Sequence, residues 1–322
     1  MKFLAGFRFK KWASRLTLIV VLPLTLFAVA GVLWLRTSLP GLSENFTLPR
    51  IKEPVEIIHP YDDDRIIAGQ GTAALEILAD RSDIDTLVVP VGGGGFIAGC
   101  AIAAKDINPA IEIIGVETEM YPSMPNALFG ETDRRTGGYS IADGISVKSP
   151  GERTLKIVKE HVSRIDMVRE DDIESAIHML AEIEKQVVEG AGAVPLAAVL
   201  ADRDAFAGMR TALMISGGNI DTRLLSSVLM RRLVRSGRLV RLGVQISDLP
   251  GNLATVSSLI AKLGGNIVEV EHERCYRDVP VRLAQIEVLI EVRSGGDCHP
   301  IAEGLADGGF PARILSTDYG AV

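Results

Sequence analysis

Three clusters of residues have the types and spacing to do chemistry. The first is Leu87 to Gly99, "LVVPVGGGGFIAG", where an apolar strand-like run meets Gly92, Gly93, Gly94 and Gly95 and an apolar helix-like run follows at once. Backbone N–H groups at such a helix start lack partners, and the helix dipole favours an anion there. Glycines let that backbone close on a phosphate with no Cβ in the way. The run is neither GxGxxG nor GxxxxGK[ST], so it does not read as a common nucleotide loop, and a plain flexible turn would look the same. The second cluster is "TALMISGGNID", in which Ser216 ends an apolar strand beside Gly217, Gly218 and Asn219. A hydroxyl at the C-terminal end of a strand points into the crevice where α/β proteins bind ligands, although an ordinary strand-end turn has the same residues. The third is Glu189-Gly190-Ala191-Gly192-Ala193 ahead of an apolar helix, where the carboxylate either serves the helix dipole or lines a site. The histidines (His59, His161, His178, His272, His299) and the cysteines (Cys100, Cys275, Cys298) have no ligand spacing, so no metal site and no disulfide framework is expected.

The elements that must hold these clusters alternate. "GQGTAALEILAD", "GFIAGCAIAAKDI", "EDDIESAIHMLAEIEKQVV" and "GAVPLAAVLAD" read as helices, and "TLVVPV", "IEIIGVE" and "TALMISGG" as buried strands. Strands separated by helices imply a parallel, helix-covered sheet. "TRLLSSVLMRRLVRSGR" reads as an amphipathic connector. Its Arg231, Arg232 and Arg235, with Arg238 and Arg241 beyond, form a solvated face in an acidic chain and not a nucleic-acid patch. After it the texture changes. A strand from Leu239, a turn at Asp248–Asn252 opening "LATVSSLIAKL", the alternating pair "NIVEVEHER" and "LAQIEVLIEV", the helix "CHPIAEGLADGG" and the strand "PARIL" give the order β-α-β-β-α-β, a ferredoxin-like plan.

The whole chain has 322 residues, a net charge of −7, 47% hydrophobic and 5% aromatic residues, which suits buried cores and not single-stranded nucleic acid. At the N-terminus, residues 16–35, "LTLIVVLPLTLFAVAGVLWL", carry no charge and follow five basic residues, Lys2, Arg8, Lys10, Lys11 and Arg15. That predicts one uncleaved transmembrane helix with a cytoplasmic N-terminus. Residues 36–60, with Pro40, Pro49, Pro54 and Pro60, predict an extended linker.

Taken together, "HPYDDDRIIAGQGTAALEIL", "VPVGGGGFIAG", "GVETE", "ADGISVKSPG", "EGAGAVPLAA" and "ISGGNID" resemble threonine ammonia-lyase (threonine dehydratase), a fold-type-II pyridoxal-phosphate enzyme. "VQISDLPGNLATVSSLIAKLGGNIVEVEHER" is similar to the regulatory ACT domain of that family's short form. The apolar run and the prolines mark residues 1–58 as a membrane anchor and linker, and the resemblance implies residues 59–230 as a partial lyase domain of the tryptophan-synthase-β-like parallel-sheet type and residues 238–322 as a ferredoxin-like ACT domain. It implies that Gly92, Gly93, Gly94 and Gly95 hold the phosphate of pyridoxal 5'-phosphate, and that Ser216 meets the pyridine nitrogen. A neutral hydroxyl there suits β-elimination. Glu189 and the Ala193 carbonyl would approach substrate or a cation, and Glu117 and Asp143 would take structural parts. Asp248, Leu249, Gly251, Asn252 and Leu253 would face an amino-acid effector. The reaction would remove water and then ammonia from threonine or serine, in a homo-oligomer whose lyase part reads as cytoplasmic.

That family's Schiff-base lysine sits in a Ser-x-Lys-x-Arg-Gly-Ala-like stretch upstream of the region matched here. No lysine of this chain, Lys52 included, has those neighbours, so no catalytic lysine is expected within these residues and the activity is expected to be impaired. "GVLWLRTSLPGLSENFTLPRIKEPVEI" is similar instead to the leader of penicillin-amidase-type hydrolases, with a junction near His59. Two further readings follow: a non-catalytic, membrane-tethered amino-acid-binding module built on the ACT-like segment, and a fragment of an exported amidase.

Overall fold

The computed structural model describes residues 58–130, 137–273 and 283–315. The predicted span at residues 16–35 and Cys275 lie outside them. Among the described residues no helix is long and apolar enough to cross a membrane. Residues 58–322 group as a compact unit.

The first half of this unit builds the alternation expected of a buried parallel sheet. Its elements are α1 (Asp64–Asp80), β1 (Thr86–Pro90), α2 (Gly95–Ile107), β2 (Glu112–Thr118), α3 (Ser123–Phe129), α4 (Glu152–His161), β3 (Arg164–Val168), α5 (Glu170–Glu182), α6 (Gly190–Ala201), β4 (Thr211–Leu213) and α7 (Thr222–Arg235). The strands lie in the order β3-β2-β1-β4, every pair parallel, with Thr86 opposite both Glu112 and Thr211. Each residue of β1 is buried. Its side chains alternate between two cores, because successive Cβ atoms point to opposite faces. Val88 packs with Ile173, Ile177 and Val194 on one face. Leu87 and Val89 pack with Ile97, Cys100 and Ile113 on the other. The chain runs outward through β1, β2 and β3, then returns to place β4 on the far side of β1. Strand order therefore reverses between β1 and β4, and the crevice at the C-terminal ends of those two strands is where such sheets bind ligands.

The second half has β5 (Leu239–Ser247), α8 (Asn252–Lys262), β6 (Asn266–Glu273), β7 (Leu283–Glu291), α9 (Cys298–Asp307) and β8 (Ala312–Ile314). The sheet is antiparallel, in the order β6-β7-β5-β8, which is the split-βαβ arrangement expected from the sequence. Along β7, buried and half-buried residues alternate strictly, as on a sheet with one covered face.

Several expectations need correcting. The acidic helix ends at Glu182 and not near Val188, because Lys185 adopts a left-handed φ of 58° and the Gln186 N–H folds back to the Leu180 carbonyl at 2.9 Å. The strand leading to Ser216 is shorter than its apolar run suggests. After the Met214 N–H reaches Val88, the Ile215 N–H turns to the Leu213 carbonyl and leaves the ladder. Ser216 therefore sits beyond the strand end, in the crevice loop. Strand β3 and helices α3 and α4 were not expected. β3 is an edge strand with only Val168 fully buried, so its pattern is weak. The arginines are not simply a solvated face either. Arg235 is 17% exposed and holds Asp171 at 2.8 Å and Glu174 at 3.1 Å, Arg231 also reaches Glu174, and Arg238 reaches Glu182. These pairs tie α7 and the start of β5 to α5.

Candidate functional site

The crevice at the strand-order reversal is a cleft of about 430 Å³. Gly92, Gly93, Gly94, Gly95, Glu189 and Ser216 all line it, brought together from loops after β1, before α6 and after β4. The cleft thus unites the three clusters that are separate in sequence.

The glycine turn leaves its backbone N–H groups open to the cleft. Gly94 is the N-cap of α2 with φ 92°, a conformation that glycine adopts without steric cost. A methyl group there would lie 2.8 Å from Thr154 and from the Met124 methyl, and one at Gly93 would run into the Tyr61 ring. The first turn of α2 contains no acidic residue to oppose its dipole. Among the described residues, no carbonyl or side chain accepts from the N–H groups of Gly92, Gly93, Gly94, Gly95 or Phe96. Unpartnered N–H groups at the positive end of a helix, with no Cβ above them, form the donor set that suits a phosphate monoester.

Across the cleft, Glu189 is the N-cap of α6, yet its side chain makes no cap bond. Its main-chain N–H donates to the Gly217 carbonyl at 3.2 Å. Its carboxylate lies where a side chain on Gly217, φ 72°, would have to go, and one of its oxygens is 3.6 Å from the position a Gly144 Cβ would take. The carboxylate is thereby left facing the cleft. Ala193, paired with Glu189 in the sequence reading, is fully buried one turn into α6 and does not line the cleft. Glu117 lies away from the cleft lining and is fully buried on β2. It accepts from the Met124 N–H at 3.1 Å and the Ser123 hydroxyl at 3.2 Å. Burial pushes its carboxyl up to about 8 in spite of those donors. Asp143 is exposed on a short 3₁₀ turn. Burial pushes the Cys100 thiol up to about 12, which rules it out as a ready nucleophile.

Sequence reasoning assigned no role to Tyr61, Gln70, Gly144 or Ile145, which also line the cleft. All four lie in or beside the quoted motifs "HPYDDDRIIAGQG" and "ADGISVKSPG", but their approach to the glycine turn depends on contacts across long stretches of chain.

A second cleft of about 400 Å³ lies in the antiparallel half, lined by Asp248, Leu249, Gly251 and Leu253 with His272. Asn252, grouped with them in the sequence reading, does not line it. Its amide donates to the Ser247 carbonyl and hydroxyl, both at 2.9 Å, and holds the turn.

Comparison with known proteins places a family match over the parallel-sheet half. Residues 51–217 match the family model described as pyridoxal-phosphate dependent enzyme. The match begins at Ile51, ahead of His59, and so takes in the end of the stretch likened to an amidase leader. The chain is 42% identical over 259 residues to the L-threonine ammonia-lyase of Thermotoga maritima, covering 80% of this chain and 64% of that protein. It is 42% identical over 243 residues to the L-threonine ammonia-lyase of Geobacter sulfurreducens, covering 75% of this chain and 60% of that protein. The solved processed form of threonine deaminase isoform 2 from Solanum lycopersicum superposes with a TM-score of 0.50 at 34% identity, over 54% of this chain and 51% of that one. The chain therefore spans less than two thirds of the length of the curated relatives it matches. By the family-model match over more than half of its residues, the chain belongs to the family of pyridoxal-phosphate dependent enzymes.

Proposed function

We propose that residues 59–230 are the cofactor-holding part of a threonine or serine ammonia-lyase. The observation that carries this reading is a row of N–H groups without a partner among the described residues, sharing one cleft with Ser216 and Glu189. The L-threonine ammonia-lyases at 42% identity support it. Gly92, Gly93, Gly94 and Gly95 would bind the phosphate of pyridoxal 5'-phosphate through backbone N–H groups, helped by the α2 dipole. The Ser216 hydroxyl would donate to the ring nitrogen without forcing a proton onto it. Glu189 would orient the amino-acid substrate or a cation at the cleft mouth. Bound there, pyridoxal phosphate supplies the electron sink for loss of water and then ammonia, leaving a 2-oxo acid.

Within these 322 residues no lysine has the sequence context of the group that bonds the cofactor aldehyde. The chain alone is therefore expected to bind the cofactor without turning over threonine. The test is to mix the purified chain with pyridoxal phosphate and threonine. Saturable binding, no borohydride-fixed lysine adduct and no 2-oxobutyrate are expected. Sustained 2-oxobutyrate formation would contradict this reading.

Residues 238–322 are proposed as an ACT-like module that takes an amino-acid effector at the second cleft. The β-α-β-β-α-β order and the cleft at Asp248–Leu253 favour it. Calorimetry with branched-chain amino acids at millimolar concentration tests it, and no heat would count against it. The membrane anchor at residues 16–35 rests on the sequence alone, and membrane fractionation of the expressed chain tests it.

A further inference from the structure

The glycine turn does not hold its own shape. Its Gly93 carbonyl accepts from the Thr154 hydroxyl at 2.7 Å and from the Gly151 N–H at 3.1 Å. The peptide unit is planar and trans, so the Gly93 carbonyl and the Gly94 N–H point in opposite directions. Donors that fix the carbonyl therefore fix the direction of that N–H. Thr154 is fully buried, and it fills the space that a side chain on Gly94 would need. The start of α4 that carries Thr154 is itself held from a distance. Its N-cap is Gly151, which has no side chain to offer. Asp62 does the capping instead, its carboxylate accepting from the N–H groups of Glu152 and Arg153 at 3.0 Å and of Thr154 at 3.1 Å. Neighbouring Tyr61 lies on Gly93 and lines the cleft.

From this we infer that Thr154 is a positioning residue. Anchored by Asp62, it sets the Gly93–Gly94 peptide from behind the cleft and so aims the N–H groups at the cofactor phosphate. The inference deepens the pyridoxal-phosphate reading above and rests on it. Thr154 does not line the cleft, and its effect passes through the Gly93 carbonyl.

The test uses the full 322-residue chain with T154V, which keeps the shape and removes the hydroxyl, and T154S, which restores it. Two quantities are read: exchange without ligand of the Gly151 and Ala98 amides, which donate to the Gly93 and Gly94 carbonyls, and the affinities for pyridoxal phosphate and for pyridoxal, which lacks the phosphate. For T154V we expect exchange to rise about tenfold and pyridoxal-phosphate affinity to fall about tenfold, the worth of one buried hydrogen bond. Pyridoxal affinity should stay as in wild type, and T154S should restore both quantities to within about twofold. Wild-type exchange in T154V, or equal weakening of both ligands, would overturn the proposal. Faster exchange in T154V, with a wild-type chain that binds pyridoxal phosphate no tighter than pyridoxal, would uphold the clasp and overturn the cofactor reading. D62N loosens the clasp from its far end and carries the same test should T154V fail to fold, with the same direction expected and the same results contradicting it.

Discussion

The two halves of the molecule use one local device in two ways. Gly94 opens α2 with φ 92°, and Gly251 opens α8 with φ 95°. Each lies at the rim of a cleft. Around Gly94 the structure closes in, with Thr154 and Met124 occupying the place of any side chain. Around Gly251 there is nothing within 4 Å. A left-handed glycine before a helix is thus only the beginning of an anion cradle. Among the described residues, distant segments close on the glycine of the parallel-sheet half and not on that of the antiparallel half.

The sharpest way to break this comparison is Gly94→Ala. The substitution combines left-handed strain with overpacking against Thr154 and Met124, so it should cost about 3 kcal/mol of stability and roughly 100-fold in pyridoxal-phosphate affinity. Denaturant unfolding and ligand titration would measure both. A variant as stable as wild type would show that the support is not rigid.

Next in size is Arg235→Ala, which asks how firmly α7 is held to α5 within the parallel-sheet half. Removing a side chain that is 17% exposed would leave Glu174, 12% exposed, with Arg231 as its ion-pair partner among the described residues. A loss of about 2 kcal/mol is expected in chemical unfolding. A loss below about 0.5 kcal/mol would place this pair among ordinary surface pairs.

Glu117 allows a test by pH. Its carboxylate oxygen accepts from the N–H of Met124, whose methyl lies against Gly94. The folded chain keeps the Glu117 proton up to about pH 8, whereas the unfolded chain loses it near 4.5. Between those values the folded state binds more protons, so this group makes stability fall as pH rises, by up to about 1.4 kcal/mol per pH unit. Above about 8 both states are ionised and its effect levels off. Glu117→Gln should flatten the slope across that window, and a variant with the wild-type slope would assign the proton to another group.

The smallest effect is expected at Gly251→Ala. With open space around it, only left-handed strain of about 1 kcal/mol remains, and pyridoxal-phosphate affinity should not change. A loss as large as that of Gly94→Ala would erase the distinction between the two turns.

Much of the site was legible because its signals are local. A buried strand, a glycine run and a helix start lie within Leu87–Gly99, and each property follows from residues a few positions apart. Ser216 and Glu189 were legible as clusters, but their meeting with the glycines needed the strand order, which no short window contains. Thr154 and Asp62 gave no signal, because their bond joins residues 92 positions apart and each residue alone looks ordinary. Helix α5 was overextended because "EIEKQVV" keeps helical composition, while the backbone leaves the helix around Lys185. The strand of Ser216 was overextended because apolar composition continues beyond the last ladder bond.

The central claim is that the cleft between β1 and β4 binds through a phosphate. Titrating the full chain with pyridoxal phosphate and with pyridoxal, each with and without inorganic phosphate, tests it most directly. Pyridoxal phosphate should bind at least about tenfold tighter, and inorganic phosphate should displace it while leaving pyridoxal untouched. Equal affinities for the two, unmoved by inorganic phosphate, would contradict the claim.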